Sequence, residues 1–344
     1  MKDEIRIEKT RGPMYVLSPF LLYLAGVVVI EVGLALLFML FSMIAHRLGT
    51  PVLLAINDFL HENEALIIPT FAGLVKIPHF LKDFYHEDWA YRVEKEKALS
   101  GEYVFNAAEA ELWKHKGGIR KSIKSLAMPA VIVLLALSAG VFFDLLVSNL
   151  MGLFHLAYSN LDLVSDVGGV GGPGSAIPFT GGETATSTVN FFVLVLSTVV
   201  IAPVVEELVF RGVIFQRMRD NHGFLISAAV SAAAFGIVHF NLMQGLFGFC
   251  MGMVFAFIYD RYHRLTASIA AHMVVNIFNV LLMIPGIAEI NAGLAHNRPL
   301  LFGMLALAGI VGVLLIIFIR NRIPELEYVP YSHVMPSEEG GEDL

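Results

Sequence analysis

The chain has 344 residues, 56% apolar and only 15% charged, with a formal net charge of −7 and a mean hydropathy of +0.70. Soluble domains carry roughly 25% charged and 45–50% apolar residues, so the composition speaks against a water-soluble globule. A single cysteine, Cys250, rules out an internal disulfide and any Cys-rich metal motif.

Apolar runs close to the ~20 residues that cross hydrocarbon are predicted at 20–45, 62–80, 126–150, 189–210, 224–242, 245–259, 265–284 and 300–319. The second holds Lys76, Pro69 and Pro78, and the sixth is short, so these two are the weakest spans. The first is too long for a cleavable signal peptide and ends in no small-residue cleavage site. With the N-terminus cytoplasmic, 20 of the 23 Lys and Arg residues fall in inside segments. Eight spans with both termini inside satisfy the positive-inside rule at every alternation, and seven would break it. The expected fold class is therefore all-α, a polytopic membrane helix bundle of about eight transmembrane helices.

Three organisational units follow. Residues 1–125 form an N-terminal two-span region whose segment 81–125 reads either as a cytoplasmic amphipathic helix on anionic lipid or as a solvated linker. Residues 126–322 form the core, interrupted at 157–188 by a Gly-, Ser- and Thr-rich outside loop. Residues 323–344 are an acidic tail expected to be disordered.

Acids within hydrocarbon are costly and usually face a bundle interior to serve a function. Glu206 and Glu207 end an apolar stretch. Glu207 and Arg211 are i,i+4, the spacing of an ion pair, whereas Glu206 is rotated by about 100° and stays free to act as a base in low dielectric. Simple pairing of both acids at the cytoplasmic rim is the plainer alternative. His239 is the lone polar side chain of its run, and such a histidine is often structural. His272 and Asn276 share a helix face, which helix–helix adhesion alone would explain. Occurring together in one half of the chain, these residues supply a base, an imidazole and oxyanion donors. Glu31 and Asp144 read as bundle-facing structural acids.

The three motifs are Glu206-Glu207-Leu208-Val209-Phe210-Arg211, Phe235-Gly236-Ile237-Val238-His239 and His272-Met273-Val274-Val275-Asn276. In this order, on separate predicted spans within 190–285, they resemble the CPBP family of intramembrane proteases. That family includes the CAAX prenyl endopeptidases and the bacteriocin-processing and self-immunity proteins. The resemblance implies a core cavity open to the cytoplasm and the membrane. It implies water activation by Glu206 and His239, an oxyanion site of His272 and Asn276, and a shaping role for Glu207 and Arg211.

A metal is left open by the resemblance: Glu206, His239 and His272 could hold Zn²⁺ with a fourth position for water, or Glu206 could act without metal. The implied function is an intramembrane (metallo)endopeptidase cutting a membrane-associated, prenylated or otherwise lipidated peptide or protein. Its expected partners are that substrate and membrane lipids, with no nucleic acid. The expected location is the membrane, multi-pass, and the cell membrane if the source is prokaryotic. The alternative is a catalytically idle relative serving as an immunity or adaptor protein; intact motifs favour the enzyme. A proton-relaying transporter is disfavoured because no repeated halves are visible. Equal depth for the four motif residues requires spans four and five to project into the cytoplasm as a hairpin around Arg217–Gly223.

Overall fold

The structure is a computed structural model that describes residues 13–80, 84, 88, 127–158, 188–219, 222–239, 241–262, 264–284, 286, 287, 289 and 297–323. The segment 81–125, apart from Phe84 and Asp88, the loop over 159–187 and the tail from 324 lie outside the described residues. Regular structure among the described residues is entirely helical, which agrees with an all-α membrane bundle. Among the described residues six helices are long and apolar enough to cross a membrane: Met14–Leu48, Pro129–Leu150, Phe191–Arg219, Leu242–Tyr262, Leu265–Leu282 and Arg298–Arg322. Two shorter apolar helices, Leu66–Lys76 and Phe224–Ile237, correspond to the second and fifth expected spans.

Helix α1 runs Pro13–Leu48 and stops at Gly49, whose φ of +63° suits the glycine that commonly follows a helix end. Pro51 opens α2 (Pro51–Glu62) at the position where its missing N–H costs nothing. Sequence reading did not anticipate this helix. It ends at Asn63, whose side chain donates to the Phe59 carbonyl at 2.8 Å, and α3 follows as Glu64–His79. Helix α4 (Ala127–Tyr158) and α5 (188–219) both enter the expected 157–188 loop.

Helix α6 is Phe224–Ile237, α7 Leu242–Tyr262, α8 Leu265–Leu282 and α9 Arg298–Arg322. The sixth span outruns its expected 245–259 because its polar end is buried and paired. Arg219 Nε donates to Asp260 Oδ1 at 3.0 Å, and Arg261 Nη1 donates to the Ile323 carbonyl at 3.3 Å. Ile323, 2% exposed, thus anchors the first residue of the expected tail. The fifth span is the short one: α6 breaks into a turn at Val238 and His239, and Asn241 Oδ1 accepts the Gln244 N–H at the start of α7.

Helix α5 occupies the middle of the bundle and packs on α1, α3, α6, α7 and α8. On one side Phe80, Phe210 and Phe235 anchor a core shared with α1 and α6; on the other Leu135, Phe255, Val275 and Ile319 join α4, α7, α8 and α9. The α6–α7 crossing is close because it is made of small residues. A Cβ on Gly252 would approach Ala232 Cβ to 2.9 Å, and one on Gly245 would approach the Gly236 carbonyl to 3.1 Å.

Candidate active site

The motif helix is not a uniform α-helix. Thr188–Val195 is α, Leu196–Ile201 π, Ala202–Glu207 α, Leu208–Phe215 π and Gln216–Arg219 α. Wide π turns are rare and concentrate at functional sites; here they bracket the glutamate pair. They also leave carbonyls for side chains of neighbouring helices. The Ala202 N–H reaches back to the Ser197 carbonyl, and Pro203 has no N–H to offer. The Thr198 carbonyl is therefore available, and Asn276 Nδ2 of α8 donates to it at 2.7 Å. Likewise Ser231 Oγ of α6 donates to the Phe210 carbonyl in the second π segment at 2.7 Å.

Glu207 and Arg211 form the ion pair that their spacing predicts. Both are fully buried, and Arg211 Nη1 donates to Glu207 Oε1 at 2.8 Å. Arg211 Nη2 donates to the Gly252 carbonyl at 3.1 Å. The guanidinium lies 4.7 Å from the Phe235 ring centre and 5.3 Å from that of Phe255, a cation–π cradle.

His272 completes the group. Its Nδ1 is 3.1 Å from the same Glu207 Oε1, and its Nε2 is 3.6 Å from Glu206 Oε2. A carboxylate only accepts, so the Glu207 contact assigns the proton to Nδ1 and turns Nε2 toward Glu206. Stacking on Phe255 at 4.7 Å and an edge contact with Phe235 at 5.6 Å fix the ring. Glu206 has 22% of its side chain exposed, whereas Glu207 has none. The structure thus separates a solvent-reachable acid from a buried, structural one.

His239 stands in the turn after α6. Its Nδ1 donates to the Phe235 carbonyl at 2.7 Å, which leaves Nε2 as the basic nitrogen. Its ring meets Phe235 edge-on at 5.0 Å and lies against bare backbone at Gly248, where a Cβ would be 3.6 Å from the ring. Glu206, Glu207, Arg211 and His272 therefore form one connected group, with His239 joined to it through Phe235 and Asn276 docked on Thr198. Among the described residues no three His, Cys, Asp or Glu side chains are grouped to hold a metal ion. In both histidines Nδ1 is held, by the Phe235 carbonyl in His239 and by Glu207 in His272, which leaves the two Nε2 atoms as the ring positions open to a proton or a metal.

Several contributors carry no sequence signal of their own. Phe255 stacks on His272, the Gly252 carbonyl receives Arg211, and the Thr198 carbonyl receives Asn276. Their traces are the three-to-four spacing of Gly245, Gly248 and Gly252, and Pro203 five residues after Thr198. Tyr23 of α1 meets Phe80 edge-on at 5.8 Å and Phe210 at 6.0 Å, which brings its phenol within electrostatic reach of Glu206. Glu31 forms no ion pair among the described residues, and Asp144 Oδ1 is buried without a hydrogen-bond partner there.

Residues 188–278 match the profile of the type II CAAX prenyl endopeptidase family described as Rce1-like. A Bacillus subtilis (strain 168) protein with the provisional name membrane peptidase YdiL is 33% identical over 91 residues. That alignment covers 26% of this chain and 37% of the relative, so the chain matches little more than a third of the length of that curated protein. No solved structure matches. The matched stretch holds all three motifs, and over it the chain is similar to these membrane peptidases. With six long apolar helices it is an integral, multi-pass membrane protein.

Proposed function

We propose that the protein is an intramembrane endopeptidase that hydrolyses a peptide bond of a membrane-associated or lipidated peptide or protein. One observation carries this reading: Arg211 and His272 are both spent on Glu207 Oε1, so the adjacent Glu206 keeps a partly exposed carboxylate facing an imidazole nitrogen. A carboxylate in a low-dielectric site beside a positioned histidine is suited to general-base work.

In the proposed reaction Glu206 takes a proton from water, with His239 Nε2 as the second basic group at the site. The water oxygen bonds the substrate carbonyl carbon, and the carbonyl electrons move onto oxygen. The Asn276 N–H not used on Thr198 and a protonated His272 Nε2 are donors for that oxyanion. Collapse breaks the C–N bond, and the proton held by Glu206 passes to the leaving amine. No step requires a metal. With the expected eight spans and α5 and α6 projecting toward the cytoplasm, substrate would enter from that side. The apolar part of α5 is 29 residues, or about 44 Å at 1.5 Å per residue, against roughly 30 Å of hydrocarbon.

The test is cleavage of lipidated peptides by the purified protein in bilayers, with products identified by mass. Wild type should release fragments, and Glu206→Gln should retain folded yield while losing cleavage. More than a few per cent of wild-type activity in Glu206→Gln would remove Glu206 as the base. An adaptor or immunity protein would cleave nothing in either form.

A further inference from the structure

Lys76 is a cation at the end of the apolar part of α3, and it has no hydrogen bond or ion pair among the described residues. Charges at membrane depth are expensive, and they usually mark a ligand or pathway. Lysine near a helix end often escapes by extending its amine to the interface. Here the amine lies on α1 instead: a Cβ on Gly26 would overlap Lys76 Nζ and Cε. Glycine at position 26 is what leaves room for the ammonium. Glu31, five residues further along α1, does not pair with it.

Two packing contacts locate this amine against the proposed base. Gly73, one turn earlier on α3, lies against α5, where its Cβ would be 3.0 Å from Val205 Cγ2. Tyr23, one turn before Gly26 on α1, meets Phe210 edge-on at 6.0 Å. Val205 precedes Glu206 directly, and Phe210 follows it by about one turn. Lys76 is thus one turn from the Gly73–Val205 contact, and its amine lies against Gly26, one turn from the Tyr23–Phe210 contact, at the seam of α1 and α3 that borders the motif helix.

Resting on the peptidase reading above, we propose that Lys76 is the docking point for a carboxylate of the peptide substrate. Ammonium offers three donors and no acceptor, and it is a compact point charge that seeks an anion. The carboxylate has two possible sources, the peptide C-terminus or an acidic side chain, and both present the same chemistry.

Three palmitoylated octapeptides separate the cases: one with a free C-terminus, one amidated, and one amidated with a single internal Glu. Binding is measured on the full chain carrying Glu206→Gln, and kcat and KM on the chain with Glu206 intact. A carboxylate-bearing peptide should bind tighter than the neutral one. Lys76→Met should erase that advantage, about tenfold or more for one charge-assisted contact, and leave the neutral peptide unchanged. Lys76→Arg should restore most of it. Gly26→Ala, whose methyl displaces a flexible amine rather than backbone, should give an intermediate loss with the same selectivity. In the active chain the effect should fall on KM rather than kcat. Equal weakening of all three peptides by Lys76→Met, no advantage for either carboxylate, or no binding at all would overturn the proposal. Binding without cleavage by the intact chain would instead count against the peptidase reading while leaving the docking point standing.

Discussion

Glu207 holds His272 by Nδ1 at 3.1 Å, so the imidazole presents Nε2 to Glu206 at 3.6 Å. The two adjacent acids therefore work at right angles. One is consumed in orienting a histidine and neutralising an arginine; the other is left for chemistry. Helical rotation of about 100° per residue makes this division possible with no spacer between them.

Arg211→Ala should lower thermal stability as well as abolish activity. Removing one partner of a buried pair leaves an uncompensated charge and costs about 3–5 kcal/mol. A Glu207→Gln/Arg211→Met double variant should recover much of that stability without recovering activity. Melting temperatures of the three proteins in one detergent check this, and equal values for wild type and Arg211→Ala contradict it. Asn276→Ala should cost less, about 0.6–1.7 kcal/mol for one interhelical hydrogen bond in a membrane, while activity is lost.

Gly252→Ala should behave like a site mutation although it adds one methyl far from any reacting atom. That methyl would lie 2.9 Å from Ala232 Cβ and 3.1 Å from Arg211 Nη2, so α7 must move and Arg211 must loosen from Glu207. Gly303→Ala, with no atom within 4 Å of the new Cβ, is the control and should leave activity intact. Comparable activity of the two variants would refute the argument.

Much of the site was legible because its residues obey helical arithmetic. The i,i+4 pair Glu207–Arg211 formed as predicted, and eight apolar helices occur where eight apolar runs were read. What was not legible came from contacts between distant segments. Asn276 was read either as helix–helix adhesion or as an oxyanion donor, and the carbonyl that receives it is free because π turns and Pro203 leave it unpaired. No period in the sequence signals a π turn. The fifth span was read through His239, whereas the helix ends in a turn there that aims Nδ1 at Phe235. Helix α2 was missed because its signals, Gly49 and Pro51, frame a stretch too short to register as a span.

Arg217 predicts a link to the region outside the family match. Its Nε and Nη2 donate to Asp88 Oδ2 and Oδ1 at 2.6 and 3.0 Å, and Nη1 donates to the Tyr15 carbonyl at 2.7 Å. Its guanidinium also lies 4.3 Å from the Tyr15 ring centre. Asp88→Asn and Arg217→Met should each destabilise the protein by about 3–5 kcal/mol, as a broken buried pair does. Limited proteolysis should then cut residues 81–126 faster in Asp88→Asn than in wild type. An unchanged cleavage rate and melting temperature would exclude a structural bond between the two regions.

Metal content offers the sharpest check on the chemistry. If Glu206 acts without metal, as the reaction above is written, purified active protein should hold much less than one equivalent of zinc, and chelators should leave its rate unchanged. Stoichiometric zinc that is lost in His239→Ala and His272→Ala but kept in Asn276→Ala would instead make the two histidines its ligands. Neutral imidazole is the ligand form, so such binding would also weaken below roughly pH 6.

The residues joined at the site are far apart in the order of synthesis. Arg217 meets an aspartate made 129 residues earlier, and Glu207 meets a histidine made 65 residues later. At about 5–20 residues per second, that second interval lasts roughly 3–13 s. During it α1, α3 and the motif helix already share the bilayer, but Glu206 has no imidazole opposite it. The proposed site is therefore completed only when α8, the last of the three motif helices, is threaded into place.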